Sequence, residues 1–270
     1  MRATGDMTSR QQIQWIQTLH PAHFSLVMAT GIVAIAADME GMPFIAEALT
    51  VLNTVAFAVL LILTFAHIVL FRAAFFQDFS DFDRGPGFFT TVAAATVLGS
   101  EWLLINNTAI FALVLWIGAV PLWACFTYSI FGAFTVKEEK PSLADGINGG
   151  WLVAVVATQG VSHLASLLSS GFSKYQREML FFSLSMWLCG GMLHIWLISL
   201  IFYRYTFFQF LPSDLRPPYW INMGAMAIST LAGTTLLLSG LTADFILELR
   251  PFIKGFTILF WATATSRRLS

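Results

Sequence analysis

Charge is what this chain lacks. Only 11% of its 270 residues are Asp, Glu, Lys or Arg, against roughly a quarter in a soluble globular domain, so the polar shell that a water-soluble core of this size needs is missing. The 14 basic and 15 acidic residues leave a net charge of −1, which gives nucleic acid and acidic macromolecules nothing to bind and excludes them as expected partners. Cysteine is nearly absent. Cys125 and Cys189 both fall inside apolar segments, where a thiol packs as a small hydrophobe, and they indicate neither a disulfide framework nor a zinc site. The first 20 residues have no apolar run followed by a small-residue cleavage signal, so no removable signal peptide is expected; Gln11 to Leu19 reads as a short interfacial helix with Ile13, Trp15 and Ile16 towards lipid. There is no Gly-Xaa-Ser-Xaa-Gly elbow, His-Glu-Xaa-Xaa-His pair or phosphate-binding Walker loop, which disfavours an ATP-driven pump and the common hydrolases.

What the chain has in abundance is apolar length. It is 57% hydrophobic, with 26 Phe and 9 Trp. Apolar runs lie near 22–38, 48–71, 87–105, 109–134, 149–168, 179–203 and 218–239, each long enough for a hydrocarbon core of about 30 Å. An eighth run begins around Phe245 but carries Glu248, Arg250 and Lys254 in its first half, and the charge-free part, Gly255 to Thr265, spans about half a bilayer at ~1.5 Å per residue. The expected organisation is a cytoplasmic segment over 1–20, a transmembrane domain over 21–265 and a tail over 266–270. With the N-terminus inside, ten Lys and Arg fall on the inner side and four on the outer. This positive-inside bias orients the bundle.

The spans repeat. Helix-start signals lead into an aromatic residue and then small residues at Phe24, Phe89, Trp151 and Trp220, separated by 65, 62 and 69 residues, the length of two spans with their loops. The repeat is a helical hairpin, and the copies are parallel because each re-enters from the same side. Odd spans are rich in Gly, Ala, Ser and Thr and even spans are bulky, so the predicted fold is an all-α polytopic bundle with odd helices inside, around a central pore, and even helices towards lipid. The residues placed on the pore are Phe24, Met28 and Gly31 on span 1; Phe89, Ala93, Gly99 and Glu101 on span 3; Trp151, Val155, Gly160 and His163 on span 5; and Trp220, Gly224 and Gly233 on span 7. Ala112 and Ala124 on span 4 are read as outward-facing.

Few groups could support chemistry. His67 and His194 fall on outer spans, where backbone or hydroxyl partners are expected, and His163 is placed on the path. Paired histidines could ligate haem, but no shared spacing supports it, so no cofactor, metal site or catalytic residue is assigned. Glu101 has two readings: a functional intramembrane acid, or a solvated one at headgroup level. No Lys or Arg occurs in the pore segments; an anion would then rely on helix N-termini, hydroxyls and a basic cytoplasmic rim.

The run His20-Pro-Ala-His-Phe-Ser-Leu-Val-Met-Ala-Thr-Gly31 and the run Pro217-Pro-Tyr-Trp-Ile-Asn-Met-Gly-Ala225 resemble the first and seventh helix signatures of the tellurite-resistance/dicarboxylate transporter family, which also contains the plant slow anion channels. The resemblance extends from about residue 18 to 265. It implies ten helices as five hairpins around a pore, a phenylalanine on the ninth helix closing it, and transport of a C4-dicarboxylate, tellurite or an inorganic anion. Here the sequence stops within the eighth helix, so that phenylalanine has no counterpart, Phe256 and Phe260 are not it, and a normal gated monomeric pore is not expected from this chain alone. The expected partners are the bilayer and a small anion, with a homo-oligomer left open. The location implied is a bacterial inner membrane. An intramembrane enzyme, a haem-binding subunit and a non-transporting fragment that needs a partner chain are the alternatives.

Overall fold

The computed structural model describes residues 16–209, 217–241 and 243–266. Most of the expected interfacial helix, nearly all of the tail, and Arg2, Arg10, Arg216, Arg267 and Arg268 of the orienting charges lie outside the described residues. The spans are α1 (Ser25–Met39), α2 (Pro43–Leu70), α3 (Phe89–Leu104), α4 (Ala109–Val136), α5 (Val153–Ser169), α6 (Gln176–Phe207), α7 (Ile221–Ser239) and α8 (Asp244–Ser266), with no strand among the described residues. Among the described residues seven helices are long and apolar enough to cross a membrane, and they match the seven apolar runs of the sequence. The α8 helix is continuous over 23 residues, about 35 Å at 1.5 Å per residue. It is therefore longer than its charge-free half suggests, with Glu248, Arg250, Pro251 and Lys254 inside the helix.

Each odd helix is led in by a 3-10 turn: Pro21–Phe24, Gly85–Phe88, Gly149–Leu152 and Pro217–Trp220. These turns begin where the sequence places proline, glycine or a side-chain cap, because the first backbone N–H groups of a helix lack internal partners. His20 Nδ1 accepts from the Ala22 N–H at 3.1 Å, and Asn148 Oδ1 accepts from the Gly150 N–H at 2.7 Å. Successive turns pack against one another, so all four odd helices start at one end of the bundle and the hairpins are parallel. At the opposite end Gly41 closes the α1–α2 reversal at φ +75° and Asn107 the α3–α4 reversal at φ 53°, a left-handed conformation that glycine and asparagine adopt at low cost.

Within each hairpin the two helices pack together, and the odd helices pack in the order α1, α3, α5, α7. Each even helix also reaches the next odd one, α2 on α3, α4 on α5 and α6 on α7. Burial follows this arrangement in the middle of the row, where 83% and 94% of the hydrophobic windows of the third and fifth spans are enclosed against 17% for the second and fourth, while the first and seventh spans at its ends are 28% and 50% enclosed. The sixth is 44% enclosed, more than its parity predicts, because α8 covers it. Trp187 on α6 meets Phe256 and Phe260 edge-on at 5.4 and 5.8 Å. Indole N–H groups tie the layers. Trp102 donates to Thr54 Oγ1 (2.9 Å), Trp116 to the Val161 carbonyl (3.1 Å), Trp123 to Thr158 Oγ1 (2.8 Å) and Trp187 to the Ser229 carbonyl (2.9 Å). Between α5 and α6, Ser183 Oγ lies 3.0 Å from Ser162 Oγ and 2.6 Å from Ser166 Oγ. Small hydroxyls and close backbones of this kind hold helices together where lipid offers no hydrophobic contrast.

Ala112 does not face outward as the sequence reading has it. It is fully buried, and its carbonyl and Cα lie 3.5 and 3.6 Å from where a Cβ on Gly99 would stand. The close approach of α3 and α4 takes a small residue from each side.

Candidate functional site

The odd helices enclose a trough. Its cavity of about 470 Å³ takes walls from α1, α3, α5 and α7. The wall is almost wholly apolar, with Ser25 and Thr96 as its polar side chains. Beside it lies a neck of about 20 Å³ where Ile32, Ile35, Val97, Ile228 and Leu231 converge with Ser100, Gly160 and His163. That volume is about what one water occupies. Among the described residues α1 and α7, the two ends of the row, share no extensive packing; both contribute to the cavity wall, and their faces are exposed at Leu26, Ile32, Val33 and Leu231.

Of the sequence-derived candidates, Met28, Ala93, Gly160 and Gly224 stand in the cavity wall, and Gly160 and His163 at the neck. The other candidates lie elsewhere. Phe24 meets Phe57 on α2 edge-on at 5.7 Å, Phe89 meets Phe126 on α4 at 6.2 Å, and Trp151 lies 5.0 Å from Phe134 with its N–H on the Phe82 carbonyl. Phe24 and Phe89 pack within their own hairpins, and Trp151 joins its hairpin to the one before it. Trp220 is 74% exposed. Val155 is buried in the main core. The glycines Gly31, Gly99 and Gly233 serve close helix contacts: an added Cβ would stand 2.6 Å from Val97 Cγ1, 2.6 Å from Leu164 Cδ2 and 2.8 Å from Trp187 Cζ2 respectively.

Glu101 departs from the solvated reading and from its place on the pore. It is 0% exposed, so it is not solvated, and it faces α2 rather than the cavity: Asn53 Nδ2 donates to Glu101 Oε2 at 2.7 Å. Glu101 Oε1 and Asn53 Oδ1 are enclosed without partners. His67 is likewise buried, with Phe75 edge-on at 5.7 Å and no partner on Nε2 in place of the backbone or hydroxyl bond expected.

The sequence reading missed the wall positions Ile32, Thr96, Val97, Val156, Ile228 and Leu231. A signal was present. Counting by three, four and seven from Met28, Ala93, Gly160 and Gly224 gives one helical face that includes Ile32, Ile35, Thr96, Ser100, Val156, His163, Ile228 and Leu231, the period of an α-helix.

Basic residues near the leading turns are committed to structure. Arg84 Nε lies 2.8 Å from Asp78 Oδ1, and its Nη2 donates to the Leu19 carbonyl at 2.9 Å. Lys137 donates to the Ser80 carbonyl at 2.8 Å, and Arg204 to the Ile147 carbonyl at 2.8 Å and to the Tyr219 hydroxyl. The four helix N-termini, each carrying roughly half a positive charge, converge on the same end as these cations. Among the described residues of the cavity and neck walls there is no Lys, Arg, Asp or Glu.

A bundle of apolar hairpins whose inner helices enclose a trough is an integral membrane transport protein in architecture. The chain belongs to the voltage-dependent anion channel family, which matches residues 18–266. Two uncharacterized transporters of Methanocaldococcus jannaschii are similar to it: one is 25% identical over 264 residues, covering 92% of this chain and 72% of its own; the other is 24% identical over 254 residues, covering 91% and 71%. An uncharacterized membrane protein of Mycobacterium tuberculosis is 36% identical over 64 residues, 24% of this chain and 32% of that protein. No solved structure matches. Family and relatives point to transport rather than to an enzyme.

Proposed function

We propose that the chain moves small anions, a C4-dicarboxylate, tellurite or an inorganic anion, along the trough between α1, α3, α5 and α7. One observation carries this reading: the space that the inner helices enclose opens among converging helix N-termini at the cationic end, yet its wall holds no fixed charge among the described residues. A path of that kind attracts an anion at its mouth and binds it weakly inside, which conduction requires. Met28, Ala93, Gly160, His163 and Gly224 are the residues proposed to line it. The protein is assigned no reaction of its own. In proteoliposomes of the purified chain, nitrate, chloride, malate and tellurite should enter faster than into empty vesicles. Uptake equal to empty vesicles for every anion removes the reading.

The proposed location is a bacterial inner membrane with the N-terminus inside, supported by the ten-to-four division of Lys and Arg. Cys125 and Cys189 are exposed and need replacing first. Single cysteines placed within 137–145 should then react with impermeant maleimide only from the cytoplasm, and those within 172–176 only from outside. The opposite pattern inverts the topology.

A further inference from the structure

We propose that His163 is the hydrogen-bond donor that contacts the permeating anion at the neck, a step that rests on the transport reading above. The side chain is 5% exposed and stands in the neck wall with Thr96 and Ser100. Its imidazole makes no hydrogen bond to any described residue. Nδ1 is enclosed without a partner, leaving Nε2 as the nitrogen open to the neck. A buried imidazole that bonds no described residue is uncommon in a native structure, and Nε2, the nitrogen that is not enclosed, is the one an occupant of the neck can reach.

The neighbouring hydroxyls cannot serve instead. Thr96 Oγ1 donates to the Ala93 carbonyl at 2.9 Å, and Ser100 Oγ donates to the Thr96 carbonyl at 2.9 Å, so both hydrogens are committed within α3 and only lone pairs face the space. Lone pairs repel an anion. Gln159, next along α5, turns away, its Nε2 donating to the Trp187 carbonyl at 3.1 Å. The rest of the neck is Ile32, Ile35, Val97, Gly160, Ile228 and Leu231. The imidazole N–H is therefore the one side-chain donor that the described neck offers to an oxygen-bearing anion, nitrate or a carboxylate, as it sheds water to pass. Losing the one side-chain donor among the described residues of an apolar neck leaves the desolvated anion unpaired, which is costly for a charged group.

The test uses the purified full chain and its His163→Leu and His163→Asn variants. His163→Leu should lower nitrate and malate flux by about tenfold or more, while His163→Asn, which keeps an N–H donor, stays within about threefold of the unmodified chain. The imidazole ¹⁵N signal lost in His163→Leu should shift in the unmodified protein when nitrate is added. Flux in His163→Leu equal to the unmodified chain, or flux with no ¹⁵N shift, overturns the inference. If His163→Leu does not fold, the ¹⁵N titration decides. A shift without flux keeps the anion contact and removes the transport reading; neither shift nor flux removes both.

Discussion

Gly149→Ala is expected to prevent the bundle from assembling: little monodisperse protein in detergent, and a loss of about 3 kcal/mol or more in what folds. An alanine Cβ there would stand 2.6 Å from the Pro218 carbonyl carbon and 2.8 Å from Tyr219 Cα. Both are backbone atoms, held in the leading turn of α7, and neither can swing aside as a side chain does. Overpacking that side chains absorb costs about 1–3 kcal/mol; against backbone the upper end applies. The contact also joins two hairpins, since the turns Gly149–Leu152 and Pro217–Trp220 pack together, so relief by movement would separate α7 from α5. Gly118→Ala is the control, because nothing lies within 4 Å of a Cβ there. Equal yield and equal unfolding temperature for the two variants would show that the turns are free to shift.

Asn53→Leu should destabilise the protein by about 1–3 kcal/mol, and Asn53→Leu with Glu101→Leu should recover most of that loss. In the single variant the Glu101 carboxyl, 0% exposed, loses its amide donor and keeps only the Thr50 hydroxyl beside it, and weakening the pairing of a buried polar group costs much of its desolvation. In the double variant both polar groups leave together, and two well-packed apolar side chains in such a place are often neutral or better. Gly31 supplies the room, since a Cβ there would stand 2.9 Å from Glu101 Oε2 and 3.0 Å from Asn53 Nδ2. A thermal-unfolding double-mutant cycle measures the coupling. Additive losses would mean that the 2.7 Å bond contributes nothing to holding α2 against α3.

The hairpin period marked by Phe24, Phe89, Trp151 and Trp220 reappears as four leading turns at one end of the bundle. The same aromatics, read as pore-facing, instead turn outward onto Phe57, Phe126 and Phe134 or lie exposed. Recurrence fixes that a residue has a repeated role, but not which side of its helix that role is on. The repeated glycines behave similarly: Gly160 and Gly224 stand in the cavity wall, whereas Gly99 and Gly233 receive Leu164 and Trp187 from neighbouring helices. A missing side chain permits a close approach from whichever element the packing supplies. Span 2 was read as bulky and lipid-facing, yet Ala46, Thr50, Asn53 and Phe57 form a buried stripe, which its helical spacing could have revealed.

The sequence by itself determined the membrane class, the seven long spans, the hairpin repeat and the inner place of the odd helices. These follow from composition and period, and the bilayer enforces them by requiring each span to satisfy its backbone internally. Only the tertiary structure decided which face of each odd helix meets the trough, that Glu101 turns to Asn53, and that His163 stands at the neck without a partner. Successive residues on a helix are set about 100° apart, so facing depends on how each helix rotates as it packs. In a bundle whose helices are apolar on nearly every side, that rotation is set by side-chain fit between helices far apart in the chain.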